Sequence, residues 1–287
     1  MVPRPIFILS VKLITNLNPW LRSAPLANFD LSKVQKNISN FKPNDIGPYL
    51  AGLFEGDGHV SLSKIINSKG KISYPYLAIT FVNKDLPLIN KLLELCGGRL
   101  RHKTKENAIV WIVNTHKELI SLINLMNGYL RTPKINKFNE LIVWLNERYH
   151  YNIQTYSPDT SDLNSNGWLA GFIDADGGFK IRYTEKRIDE LTKKVLVKGR
   201  IEVRFALEQR QNLDSLNDND SYKSILLKIQ SFFGITTDLR ISKHNLDKTY
   251  WIVEVTSLDK LNLLIQYLNN YPLLTANRNE KGAKTNG

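Results

Sequence analysis

The 287-residue chain has a single cysteine, Cys96, and only two methionines. One cysteine cannot close an intramolecular disulfide, so a disulfide scaffold is excluded and a reducing interior suits the chain. Long apolar runs are missing as well. The stretch from Ile6 to Leu9 is broken by Ser10 and Lys12, far short of the ~20 apolar residues that cross a bilayer, so no membrane span is expected. Acids are the scarcer charge, 27 Asp+Glu against 39 Lys+Arg, and the formal charge of +12 attracts a polyanion, nucleic acid first and anionic membrane second. Residues 1 to 29 hold no acid at all while carrying Arg4, Lys12 and Arg22. That pattern is open to an organellar presequence, an arm lying on nucleic acid, or residues read through from an upstream segment.

What is present is a repeat. Leu50-Ala-Gly-Leu-Phe-Glu-Gly-Asp-Gly58 returns as Leu169-Ala-Gly-Phe-Ile-Asp-Ala-Asp-Gly177, matching in type throughout. Trp111-Ile-Val returns as Trp251-Ile-Val, and Asn127-Gly-Tyr-Leu as Asn269-Asn-Tyr-Pro. On these landmarks the second copy is longer, with its extra residues near the charged, hairpin-like Glu185 to Lys198 and the polar run Asn212 to Ser221. Each copy reads helix, two strands, helix, two strands, helix. Val60 and Leu62 alternate with His59, Ser61 and Ser63; Phe179, Ile181 and Tyr183 with Lys180, Arg182 and Thr184; Ile201, Val203, Phe205 and Leu207 with Arg200, Glu202 and Arg204. Leu86, Ile89, Leu92, Leu93 and Cys96 then recur at helical spacing, as do Ile225, Leu226, Ile229 and Phe233. Those helices are expected to cover the apolar sheet faces and leave the polar ones outward. Cys96 packs there as a small hydrophobe.

Within each motif, Gly52 and Gly56, and Gly171 and Ala175, are four apart and share one helical face, where missing side chains let two backbones approach. Helices packed that way bring their C-terminal ends together, and there stand Asp57 and Asp176. Two carboxylates at the negative ends of two helix dipoles demand a cation, and Mg²⁺ is the best match. Glu55 and Asp174 read as neighbours rather than ligands.

The two nonapeptides resemble the signature of the LAGLIDADG homing endonucleases, a class encoded within introns of organellar genomes; two copies in one chain are similar to its monomeric, pseudo-symmetric branch. The resemblance implies an α+β fold of two αββαββα halves packed through the motif helices, with antiparallel sheets forming a DNA-binding saddle. It divides the chain into an N-terminal extension at 1–43, poorly ordered, a first domain at 44–150, a linker at 151–163 and a second domain at 164–287. It implies double-strand cleavage of a long, nearly asymmetric DNA site by a Mg²⁺-dependent phosphodiester hydrolase, with Mn²⁺ substituting, leaving 3′ overhangs. A mitochondrial location is implied ahead of a chloroplast one. An intron RNA maturase and a degenerate DNA-binding relic are the alternatives.

By the same resemblance Asp57 and Asp176 are catalytic metal ligands, and the carbonyls of Gly56 and Ala175 also face metal. Asn83 and Gln209 order water, and Lys134 is a basic helper. His59, Ser61, Ser63, Lys180, Arg182, Arg200 and Arg204 are the expected nucleic-acid contacts. Two departures stand out: Asn277, next to Arg278, is placed where the first copy has Lys134, and the second copy is expected to lack the final helix that Ile135, Phe138, Ile142 and Leu145 mark in the first.

Overall fold

The computed structural model describes residues 46–62, 73–211, 221–245 and 248–275. Ser63, Asn277, Arg278, the extension 1–43 and the expected loss of a final helix after Thr275 fall outside the described residues.

The first half runs α1 (Ile46–Asp57), β1 (Gly58–Ser61), β2 (Tyr76–Val82), α2 (Leu86–Cys96), β3 (Arg99–Lys103), β4 (Ala108–Val113), α3 (His116–Met126) and α4 (Lys134–Tyr149). The second runs α5 (Trp168–Asp176), β5 (Gly177–Thr184), β6 (Arg187–Ile188), β7 (Val195–Val197), β8 (Arg200–Arg210), α6 (Lys223–Phe232), β9 (Arg240–Asn245), β10 (Lys248–Val255) and α7 (Leu258–Asn270). Each half builds one antiparallel four-stranded sheet, in the orders β1-β2-β4-β3 and β5-β8-β10-β9. The period-two alternation places Leu77, Ile79, Phe81, Ile109, Trp111 and Val113 against the helices of the first half, and Val203, Phe205, Leu207, Val253 and Val255 against those of the second. Cys96 is buried among them, and burial pushes its thiol up to about 11.

The motif helices are buried on every side. Leu50, Leu53, Phe54, Leu169, Phe172 and Ile173 fill the two flanking cores, and the glycines fill the seam. A Cβ on Gly52 would lie 2.0 Å from Trp168 O and 2.8 Å from Phe172 N; one on Gly171 would lie 1.9 Å from Tyr49 O and 2.8 Å from Leu53 N. Backbone therefore meets backbone across α1 and α5, which only an absent side chain permits.

Two expectations are corrected here. Gly58 faces Ile79 and Ile79 faces Trp111, whereas Gly177 faces Leu207 and Leu207 faces Val253. Trp111 thus corresponds to Val253, and the two tryptophans sit two residues apart on equivalent strands. A slip of two keeps the same sheet face, so the alternation could not expose it. Secondly, the helices do not cover the whole apolar face of the second sheet. Beyond Phe179 and Val203 the strands outrun the helix layer, leaving Ile181, Tyr183 and Ile201 exposed.

The segment between the halves is tied down. Asn146 brackets Ile153 through both its amide oxygen and nitrogen, Asn139 donates to Tyr156 O (2.9 Å), and Asp159 N donates to Leu130 O (2.7 Å). Arg131 then pairs with Asp159 (2.7 Å) and donates to Ser161 O (2.6 Å), while Lys228 of α6 donates to the carbonyls of Thr160 and Ser161.

Candidate active site

Both motif helices end on an acid. A Cβ on Gly56 would meet Ala175 Cβ at 2.1 Å and Asp176 Oδ2 at 2.9 Å, so the Asp176 carboxylate already lies against the end of α1. Gly58 and Gly177 begin the strands with extended backbone, and their need for glycine is spatial. A side chain there would strike Phe54 O at 2.6 Å or Ile173 O at 2.7 Å. Neither glycine takes the left-handed conformation, since the positive-φ glycines among the described residues are Gly97, Gly98, Gly128 and Gly234.

Lys134 opens α4 and reaches back into this junction. Its ammonium donates to the carbonyls of Gly56 (2.7 Å), Gly58 (2.8 Å) and Phe54 (3.3 Å), acceptors at the C-terminus of α1 and the start of β1. Burial lowers its pKa, while Asp176, Asp57 and Glu55 hold it up. One ammonium against two carboxylates at converging helix ends leaves a net negative site. The groups that could hold a metal there are oxygens: the two carboxylates, with the backbone carbonyls of Gly56 and Ala175 just before them in sequence. Among the described residues no cluster of three or more His, Cys, Asp or Glu forms. A hard divalent cation that keeps several waters fits such a donor set better than one needing a full protein cage.

Gln209 donates from Nε2 to Asp176 Oδ2 at 2.7 Å. Asn83 is not its counterpart. It stands in the 3-10 turn Asn83–Asp85 and donates its amide to Asn107 Oδ1 (2.6 Å), and the sheet register gives the position of Gln209 in the first half to Phe81, a core residue. Asn83 overshoots that position by two residues.

Glu55 and Asp174, read from sequence as bystanders, hold the site together. Glu55 is 1 % exposed and accepts from Arg131 N, Thr132 N, Thr132 Oγ1 and Trp168 Nε1 at 2.6–3.0 Å. Asp174 accepts from Leu274 N, Thr275 N, Thr275 Oγ1 and Tyr49 Oη. Each acid thus binds the chain entering α4 or following α7 in its own half and one ring from the opposite motif helix, Trp168 or Tyr49, which occupy equivalent positions. Burial pushes Glu55 up to about 7 against the pull of its donors. Tyr222, from the second half, also lies at this junction beside Thr132 and Glu55, and burial pushes its phenol up to about 12. Matched motif positions could have flagged the acids; no sequence signal marks Tyr222.

Of the expected nucleic-acid contacts, His59 and Ser61 are on the outward face of β1, and His59 packs edge-on against Tyr76. Its imidazole is lowered by burial and by Lys134, Arg101 and Lys103. Lys180, Arg182, Arg200 and Arg204 share the outward face of the second sheet, where the pairs Lys180↔Arg204 and Thr184↔Arg200 set the register. Sequence reading missed Arg99, Arg101 and Lys103, which alternate outward on edge strand β3, and Arg240 on β9. Glu254 holds Arg204 (3.2 Å) and Arg240, and Glu202 holds Arg200 (3.2 Å), so several guanidinium forks are fixed before any ligand arrives.

Comparison with known proteins agrees with this architecture. A family profile described as "LAGLIDADG endonuclease" matches residues 50–145 and 169–280. The chain is 31 % identical over 280 residues to "Intron-encoded DNA endonuclease aI3" of Saccharomyces cerevisiae, a match covering 87 % of this chain and 65 % of that protein. It is 29 % identical over 155 residues to "Intron-encoded RNA maturase bI4" of the same yeast, covering 53 % of this chain and 22 % of that one. Among solved structures, the meganuclease I-SmaMI bound to uncleaveable DNA has the same fold, with a TM-score of 0.59 at 17 % identity over 82 % of this chain and 85 % of that one.

Proposed function

The chain belongs to the LAGLIDADG endonuclease family, in its two-motif single-chain form, and from that premise we propose that it hydrolyses both strands of one long, nearly asymmetric DNA site, serving insertion of its own intron. The observation that carries the reading is the junction itself: Asp57 and Asp176 at the touching ends of two helices, beneath two sheets whose outward faces bear basic side chains. A binding protein has no use for paired acids there, because carboxylates repel the phosphates that the arginines attract.

In this reading Asp57, Asp176 and the carbonyls of Gly56 and Ala175 would hold Mg²⁺, or Mn²⁺ in its place. Metal so held would supply Lewis-acid polarisation of the scissile phosphate, an acidified water and stabilisation of the leaving 3′ oxygen, giving 3′-hydroxyl and 5′-phosphate ends, and staggered cuts in the two strands would leave 3′ overhangs. The protein's own side chains do the rest. Gln209 fixes the orientation of the Asp176 carboxylate. Lys134 neutralises part of the charge between the acids and faces the phosphate as negative charge develops. His59, Ser61, Lys180, Arg182, Arg200 and Arg204, with Arg99, Arg101 and Arg240, hold backbone and bases. The protein acts as a monomer, since one chain carries both acids, and its place of action is the mitochondrion.

Purified protein incubated with DNA carrying the intronless insertion site should cut it in Mg²⁺ and leave it intact in a chelator. Absence of cutting would defeat the enzyme reading; cutting that survives Asp57→Asn would defeat the site assignment. A second reading, intron RNA maturase, draws on the likeness to a maturase over half the chain. It gains if splicing of the host intron fails when this protein is removed while the Asp57→Asn variant restores it.

A further inference from the structure

In the helix layer of the first half, α3 and the chain that follows α4 border a cavity of about 450 Å³. Four amide side chains line it, those of Asn124, Asn127, Asn152 and Gln154, together with Tyr151 and Tyr156 and no charged group. On α3, Leu119, Leu122, Ile123 and Met126 face the core, so Ile120, Asn124 and Asn127 form a neighbouring stripe that turns away from the sheet. The cavity therefore opens on the side opposite the polar sheet face.

Its walls are set before any ligand arrives. His116 holds a phenol on each ring nitrogen, Tyr74 Oη on Nδ1 (2.8 Å) and Tyr151 Oη on Nε2, and Tyr149 packs edge-on against the same imidazole. The Tyr151 ring is thereby fixed. Asn127 donates to Gln154 O (2.7 Å), Asn146 brackets Ile153 and Asn139 donates to Tyr156 O, so the backbone that bears Asn152, Gln154 and Tyr156 is pinned to α3 and α4. Their side chains are uncommitted. The amides of Asn124, Asn152 and Gln154 have no hydrogen-bond partner among the described residues.

An uncharged lining suits neither a metal ion nor a free phosphate. A side-chain amide presents a donor and an acceptor in one plane, the complement of a nucleobase edge, and a tyrosine offers a face on which a base stacks. Cations border the Tyr151 end, where phosphates would run: Lys117 shares the α3 stripe of Ile120 and Asn124, and Arg148 stands over Trp144, which packs against Tyr149. We propose that this cavity takes one unpaired base of single-stranded RNA while duplex DNA occupies the sheets. Duplex DNA keeps its bases paired and stacked, whereas RNA loops and bulges splay theirs out, and an amide not spent on the base edge meets the 2′-hydroxyl that DNA lacks. The inference deepens the RNA reading given above and rests on it. What it adds is the place, a helical face of the first half that leaves the sheets free.

The test uses the full chain without divalent metal. Its probes are the host intron transcript, short fluorescent single strands of A, U or C as RNA and as DNA, and an unlabelled duplex carrying the intronless site. The transcript and at least one short RNA should bind saturably, and both should stay bound when the duplex is added to saturation. Tyr156→Ala and Asn124→Leu should each weaken RNA binding on the order of 10-fold, with duplex affinity, and cutting once Mg²⁺ is added, unchanged. Tyr156→Phe keeps the ring face and should bind RNA like the parent, which separates lost stacking from a damaged fold. RNA that the duplex displaces, or that both weakened variants hold as tightly as the parent does, overturns the proposal. A deoxy strand held as tightly as its RNA counterpart overturns the choice of RNA. If the unaltered chain fails to bind the transcript, the RNA reading itself has failed; a transcript bound alike by parent and variants leaves that reading standing and removes the cavity from it.

Discussion

Replacing Gly171 with alanine isolates the packing on which the acids depend. In an ordinary helix interior this change stabilises by about 1 kcal/mol, because glycine gives up more backbone freedom. Here the new methyl would lie 1.9 Å from Tyr49 O and 2.9 Å from Tyr49 C, rigid backbone on a facing helix. Normal contact requires the helices to part by about 1.3 Å, which opens a gap along a seam buried on both sides. Overpacking of this kind costs ~1–3 kcal/mol, so the sign reverses and the melting temperature should fall by roughly 2–5 °C. Gly52→Ala should behave alike, since its methyl meets Trp168 O at 2.0 Å. One separation relieves both clashes, so the double variant should cost clearly less than the sum of the two. Gly178→Ala is the control, because its methyl would meet nothing closer than Ala206 O at 3.7 Å. Thermal and urea denaturation read all four proteins. A Gly171→Ala protein as stable as the parent, or strictly additive costs, would refute the close-approach argument.

Lys134→Met removes the donor to the carbonyls of Phe54, Gly56 and Gly58 and the only ammonium seen between the acids among the described residues; it should cost about 1–2 kcal/mol of stability and slow single-turnover cleavage on the order of 10²-fold, and full activity would contradict the role given to it. Gln209→Leu should leave binding intact but slow one strand's cut, so that nicked DNA accumulates on a denaturing gel, because the amide stands beside Asp176 alone and the first half has Phe81 at the equivalent position. Burial raises Glu55 above its ordinary range, so the native state holds a proton that the unfolded chain has released. Its stabilising contribution is complete below pH ~4.5 and is lost as pH climbs through about 7, by at most ~3 kcal/mol. Glu55→Gln should flatten that part of the stability profile in urea titrations at several pH values, and an unchanged profile would mean Glu55 is not the titrating group.

The repeated nonapeptide made the helix pair, its glycine seam and the meeting of Asp57 with Asp176 readable in advance, since spacing of four on a helix is a geometric statement. Sheet faces were readable for the same reason. Register was not, because a strand's pattern repeats every two residues and Trp111 could be matched to Trp251 with no visible error. The roles of Glu55 and Asp174 were missed because their partners lie 76 to 125 residues away in sequence. The bare flank at Ile181 and Tyr183 escaped notice because alternation reveals which way a side chain points, not what covers it.

The exchange of rings between the motif helices bears on how such proteins can be rebuilt. Trp168 answers to an acid of the first half and Tyr49 to an acid of the second, so neither half carries its own complete hydrogen-bond set. A chimera that grafts one half onto a relative's other half would inherit mismatched partners at both points. Recombination is therefore expected to succeed when the breakpoint carries the acid and its distant ring together, which makes the two halves one heritable unit despite their repeated design.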